Sequence, residues 1–244
     1  MWTYLLIFFS LVVLFSVFIR RCVLFSSTPK DRCEEEEGCG VLCEKVRLSR
    51  KDTEEVSSLC ERAENLLSSG KDDDAIKCFV QALSINPSHQ ETLHRLGVLY
   101  LQKQMFGAAV AIFQQLAELS PDPLHFSHLG LALFNQSDFE NSKVAYQKAL
   151  ELDSSRAQRF VSLSQVYRAM DMPLHAIVAL NKAIEIEDKN IEALFLLADA
   201  KLEIKKLECA KTILQNVLEL DPENKDAKVL LVEVEKLEDD IGGV

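Results

Sequence analysis

The chain has 244 residues, 48% of them hydrophobic and 27% charged, with a formal net charge of −11. Gly and Pro number only 8 and 6, too few for the turn every ~8–12 residues that an all-β sandwich or barrel requires, and the apolar fraction excludes a wholly disordered chain. All 38 acidic residues but only 25 of the 27 basic ones follow residue 21, so the body lacks the clustered Lys and Arg that nucleic-acid binding needs.

Residues 1–19 (MWTYLLIFFSLVVLFSVFI) carry no charged side chain. As a helix they span about 28 Å, close to the ~30 Å of a hydrocarbon core. Trp2 and Tyr4 sit at one end, where amphipathic rings favour the interface, and Arg20 and Arg21 at the other. No basic side chain precedes the run and no small-x-small cleavage pattern follows it, which sets it apart from a secretory signal peptide. We expect a single-pass transmembrane anchor over residues 1–21, in contact with the lipid bilayer. Arg20, Arg21, Lys30 and Arg32 all lie on its C-terminal side, so the positive-inside rule places the body in the cytoplasm.

Residues 22–55 read as a flexible, acidic, cysteine-containing linker. Ser26-Ser27-Thr28-Pro29 is a loop signal, and Glu34–Glu37 is a like-charge run that favours solvation. Cys33, Cys39 and Cys43 have C-x5-C-x3-C spacing, unlike the paired C-x2-4-C units of structural zinc sites. Cys22, Cys60, Cys78 and Cys209 bring the count to seven, an odd number that does not suggest a disulfide framework and fits a reducing compartment.

Residues 56–224 repeat. With Pro87, Pro121 and Pro222 in register, five copies of a 34-residue unit appear: 56–89, 90–122, 123–156, 157–190 and 191–224, the second one residue short. The eighth, twentieth and twenty-seventh positions read Ala63, Ala75, Ala82; Gly97, Ala109, Leu116; Gly130, Ser142, Ala149; Ser164, Ala176, Ala183; and Ala198, Ala210, Val217. Thirteen of the fifteen are Ala, Gly or Ser, as expected where two helix axes approach closely. The fourth, seventh, eleventh and twenty-fourth positions are large and apolar or aromatic in eighteen of twenty cases, Arg62 and Lys201 being the exceptions. Positions 4, 7, 8 and 11 share one face of a first helix, and 20, 24 and 27 one face of a second. Each unit is then a helical hairpin whose apolar face is covered by the next. Residues 225–244, from KDAKVLLVEVEKLEDDI onward, continue as one amphipathic capping helix and tail, expected to present a polar outside to water.

This pattern resembles the tetratricopeptide repeat (TPR), whose 34-residue unit carries W-x2-L-G-x2-Y, then A, F, A and a late Pro. The copy at 90–122 shows it best, in Leu93, Leu96, Gly97, Tyr100, Ala109, Phe113 and Pro121. No copy has the Trp, and Ser154 and Asp188 stand where Pro would. The resemblance implies an all-α, right-handed TPR superhelix of five helix-turn-helix repeats with a C-terminal capping helix, here behind one N-terminal transmembrane helix.

Catalytic sets are missing from the sequence. His125 and His128 stand three apart on one helix, but no H-E-x-x-H, G-x-x-x-x-G-K-[ST], G-x-G-x-x-G or G-x-S-x-G occurs. Neither enzymatic activity nor any cofactor or metal is expected. The resemblance instead implies a concave groove lined by first helices, at positions 2, 5, 9, 12 and 13 of each unit. These give candidate partner-binding residues Leu67, His94, Val98, Leu101, Leu131, Phe134, Asn135, Val161, Gln165, Arg168, Phe195 and Leu202. The centre of that strip is apolar, which suits an extended peptide or an amphipathic helix. Cys60, Glu64, His94 and Val98 do not match the Lys, Asn and Arg with which one TPR subfamily grips heat-shock chaperone tails, and Glu64 would repel an acidic tail. The expected function is a membrane-anchored scaffold or adaptor that holds a protein partner. Two alternatives are a co-chaperone or assembly factor for secreted or membrane clients, and an assembly factor with metal or redox chemistry at the linker cysteines.

Overall fold

A computed structural model describes residues 49–242. The transmembrane segment expected at 1–21, and the stretch of the expected linker that holds Cys22, Cys33, Cys39 and Cys43, lie outside the described residues. Eleven helices and no strand occur among the described residues, and none of these helices is long and apolar enough to cross a membrane.

The helices fall two to a unit. The first helices are α1 (Arg50–Ser68), α3 (Gln90–Gln102), α5 (Pro123–Asn135), α7 (Ala157–Ala169) and α9 (Ile191–Glu203); the second are α2 (Asp72–Ile85), α4 (Phe106–Leu119), α6 (Phe139–Leu152), α8 (Pro173–Ile186) and α10 (Leu207–Leu220). α11 (Lys225–Gly242) closes the array. Each second helix packs against its own first helix and against the first helix of the next unit, so the core is a chain of local interfaces. α1 begins six residues before the first repeat, so residues 50–55, expected in the linker, are helical. Ser49 starts the helix with a reciprocal capping box, its Oγ accepting from Asp52 N and Asp52 Oδ2 accepting from Ser49 N. A period detects only what recurs, and this extra length has no counterpart in other units.

All fifteen of the small-residue positions are buried. Packing gives the reason at two of them. A Cβ added to Gly97 would meet Phe113 Cζ at 2.8 Å, and one added to Gly130 would meet the Tyr146 ring at 2.8 Å. The aromatic ring at position 24 thus lies directly on the backbone of position 8.

Every first helix ends the same way. The residue at position 15 takes positive φ: Gly70 (70°), Gln104 (58°), Ser137 (63°), Asp171 (57°) and Lys205 (58°). Around it the backbone makes a paired closure, for example Met105 N to Tyr100 O at 2.8 Å and Gln104 N to Leu101 O at 3.0 Å. Equivalent pairs occur in all five units. This is the Schellman ending, which satisfies the last carbonyls and reverses the chain into the second helix.

The joints between units differ. His89, Asp122, Asn190 and Asn224 each accept a backbone N–H of the following helix through the side chain. Arg156, ahead of α7, makes no such bond, and Ser154 replaces the joint proline. There Arg159 substitutes. Its Nη1 donates to Asp153 O at 2.7 Å and Asp153 Oδ2 at 2.6 Å, and its Nε donates to Ser127 Oγ at 3.3 Å. The side chain is 8% exposed, and the guanidinium holds the Asp153 carboxyl well below the usual carboxylate range.

α11 buries Ala227 and Val234 against α9 and α10, and Lys211 Nζ pairs with Glu238 Oε2 at 2.7 Å. The outer face is less polar than expected, with Val229 68% and Val232 50% exposed. Lys228 and Glu235 occupy positions 4 and 11, where the other units carry apolar or aromatic bulk except for Lys201, but Val232 stands at position 8. No second helix approaches that position among the described residues, so it is not held to a small residue there.

Candidate interaction groove

Recesses open along the row of first helices. Between α1 and α3 a recess of about 470 Å³ is lined by Val56, Cys60, Glu61, Glu64, Glu91 and Arg95, among others. Beside it, a recess of about 690 Å³ gathers Leu67, His94, Val98 and Gln102 with His125 of α5. Between α5 and α7 a third, about 400 Å³, is lined by Leu124, Leu131, Arg156, Gln158 and Gln165, with Tyr146 at the back and Glu192 of α9 at one edge. Burial pushes the Tyr146 phenol up to about 12.

The twelve candidate residues separate into distinct environments. Leu67, His94 and Val98 share the second recess, and Leu131 and Gln165 the third. Leu131 is 41% exposed, as is Leu124 at 40%. Leu101, Phe134, Phe195 and Leu202 are half-buried and pack against the core; the Phe134 ring lies 5.5 Å from that of Phe139. Asn135 is exposed and donates to Leu131 O at 2.8 Å. Arg168 is held across the row by α9, with Nη2 2.7 Å from Asp199 Oδ2 and 2.6 Å from Glu203 Oε1. Val161 is a correction. It is fully buried, in one core cluster with Ala193 and Leu197 of α9, and offers nothing to a partner.

Three imidazoles meet where α3 and α5 adjoin, a grouping the spacing of His125 and His128 does not disclose because His94 comes from another unit. His94 lies 5.4 Å from His128 and 5.8 Å from His125, centroid to centroid, and Phe113 lies 4.9 Å from His128. Nδ1 of His94 and of His128 are buried without a hydrogen-bond partner. Burial, then the neighbouring His94 and His125, push His128 down to about 4. Burial, His125 and Arg95 lower His94 against the opposing pull of Asp122. No group of three His, Cys, Asp or Glu among the described residues is arranged to hold a metal. The described cysteines, Cys60, Cys78 and Cys209, are free thiols, and Cys60 Sγ lies 3.0 Å from Thr92 Oγ1.

Comparison with known proteins gives consistent results. Solved structures with the same fold include the MamA protein (TM-score 0.66, 23% identity, over 70% of this chain and 94% of that one). Another is YrrB, a TPR protein with an unusual peptide-binding site (TM-score 0.64, 17% identity, over 74% of this chain and 93% of that one). Among curated proteins, the anaphase-promoting complex subunit CDC16 of Saccharomyces cerevisiae is 28% identical over 170 residues, 66% of this chain and 20% of that subunit. The peptidyl-prolyl cis-trans isomerase FKBP4 of Homo sapiens is 32% identical over 96 residues, 39% of this chain and 20% of that isomerase. The chain therefore spans about a fifth of the length of these curated relatives. The family description "Tetratricopeptide repeat" matches residues 60–122, 126–156 and 191–224, just over half of the chain. It passes over the fourth unit, where Asp188 stands in place of the joint proline and the Arg159 joint departs from the pattern. With five stacked hairpins, buried small residues at the stacking positions and this match, the chain belongs to the tetratricopeptide repeat family, whose fold is typically a non-catalytic protein-interaction scaffold.

Proposed function

We propose that the protein is a membrane-anchored adaptor that binds a segment of a protein partner along its first helices and carries out no catalysis itself. The observation that carries the reading is the recess between α5 and α7, where Leu124 and Leu131 stay about two-fifths exposed beside an open cavity of about 400 Å³. Apolar side chains left in water beside a cavity mark an interface, and one or two buried anchors supply most of the affinity in such a site. Residues 1–21 anchor the chain in the bilayer and the repeats face the cytoplasm, supported by the uncharged run before Arg20 and Arg21. Tethering raises the effective concentration of partners at the membrane, so modest affinity suffices.

The double variant Leu124→Asp/Leu131→Asp tests the groove. Both side chains are exposed, so helicity should persist while partner binding in a pull-down is lost; retained binding refutes the groove. Phe134 is the poorer probe because it is packed against Phe139. Accessibility of Cys209, exposed on the repeats, to an impermeant thiol reagent in sealed cells tests the topology. Labelling without lysis would place the body outside the cytoplasm.

A further inference from the structure

We infer that the groove takes an extended cationic segment with an apolar centre; this rests on the groove reading above and adds the chemistry of its occupant. The two ends of the row of first helices are acidic. At the α1–α3 end, Glu61, Glu64 and Glu91 face one cation, Arg95, which pairs with Glu64 at 2.9 Å and Glu91 at 3.4 Å. Glu61 has no cation within 4.0 Å among the described residues. At the α7–α9 end, Arg168 is consumed by Asp199 and Glu203. Glu192, exposed, receives only the Gln158 amide at 3.4 Å. Six carboxylates thus face two guanidiniums at the ends.

The central recess carries one of these carboxylates, Glu192, on its α9 side and is otherwise of different character. Leu124 and Leu131 flank the central recess, Arg159 is neutralised by Asp153, and the exposed Arg156 stands on the rim. Cations of an occupant are therefore drawn to the α1–α3 end and to the α9 side of the central recess, while its apolar side chains fit between. The net charge of −11 on the chain draws a cationic segment in and turns an acidic one away. Four helix-to-helix steps of about 9–10 Å separate α1 from α9, a span that an extended segment of about 11–12 residues covers.

The test pans a phage-displayed random peptide library on the full chain in a nonionic detergent, with the Leu124→Asp/Leu131→Asp chain for counter-selection. Peptides that depend on both leucines should carry Lys or Arg at both ends of an apolar stretch. A synthetic peptide from that pool should bind roughly threefold to tenfold more weakly to Glu61→Gln/Glu192→Gln, a change that leaves both guanidinium pairs intact. Its affinity should also fall by a similar factor between about 50 and about 300 mM salt. A leucine-dependent pool that is acidic or uncharged, or one indifferent to Glu61 and Glu192, overturns the charge assignment and leaves the groove standing. An absence of leucine-dependent binders overturns both.

Discussion

Gly130 and Gly107 are both helical glycines, and their neighbours assign them opposite roles. The Cβ of an alanine at 130 would enter the Tyr146 ring at 2.8 Å, whereas at 107 it would meet only the Gln136 side-chain amide at 3.3 Å. Ala is favoured over Gly in a helix by about 1 kcal/mol, and overpacking a filled site costs about 1–3 kcal/mol. Gly130→Ala should therefore destabilise by up to about 2 kcal/mol and Gly107→Ala should stabilise by up to about 1 kcal/mol, read as opposite shifts in urea midpoint. His128 supplies a pH dependence. Its native form stays neutral down to about 4, while an unfolded imidazole takes a proton near 6.5. The stability held by the neutral ring is complete above about 6.5 and is lost as pH falls from there toward 4. Allowing for its partial exposure, the loss should be on the order of 1–2 kcal/mol. The test is urea unfolding at pH 7.5 and pH 5. The difference between the two should shrink in His128→Gln, and an unchanged difference would refute this account.

At the scale of elements, two of the places where the repeat departs from its pattern are the most informative. The joint before α7 lacks both the proline and a side-chain N-cap, and Arg159 holds it by three hydrogen bonds to Asp153 and Ser127. Removing one partner of a largely buried pair leaves the other unsatisfied. Because Asp153 keeps some contact with water, Arg159→Ala should cost about 1–3 kcal/mol, measured by thermal unfolding. Lys should restore little, since its single ammonium cannot reproduce the forked geometry. The other departure is α11. It covers Leu194, Leu214 and Val217 with Ala227 and Val234, so deleting residues 225–244 should uncover that apolar face. The expected result is a lower melting temperature and self-association in light scattering; a monomer with unchanged melting temperature would show that α11 is dispensable.

Across the whole repeat array the stability is a sum of neighbour interfaces. Among the described residues the central hairpins are covered on both sides, whereas α1 and α11 stand at the two ends of the row. Amide exchange should therefore be slowest in α4 to α8 and fastest in the first turns of α1 and the last turns of α11. Uniform protection along the array would mean that it unfolds as a single unit. The same arrangement bears on binding. A ligand that touches first helices of several units ties successive interfaces together, so a bound segment should extend slow exchange toward both ends.

How much of this was legible beforehand depends on where each signal resides. The stacking positions recur about every 34 residues as Ala, Gly or Ser in thirteen of fifteen cases, and all fifteen are buried. The left-handed turn at position 15 recurs equally well but is filled by Gly, Gln, Ser, Asp and Lys. It left no compositional trace, because the Schellman bonds impose the conformation regardless of side chain. The sequence by itself determined that helical hairpins form and stack, since helix periodicity and close axial approach act within a unit or between adjacent ones. Only the tertiary structure decided which groove positions remain open. Val161 is sealed in one core cluster with Ala193 and Leu197 of the next unit, Arg168 is spent on two carboxylates some thirty residues away, and His94 joins an imidazole cluster it shares with α5. Accessibility at each of these sites is set by a residue in a neighbouring unit, at a separation that no reading along a single helix face contains.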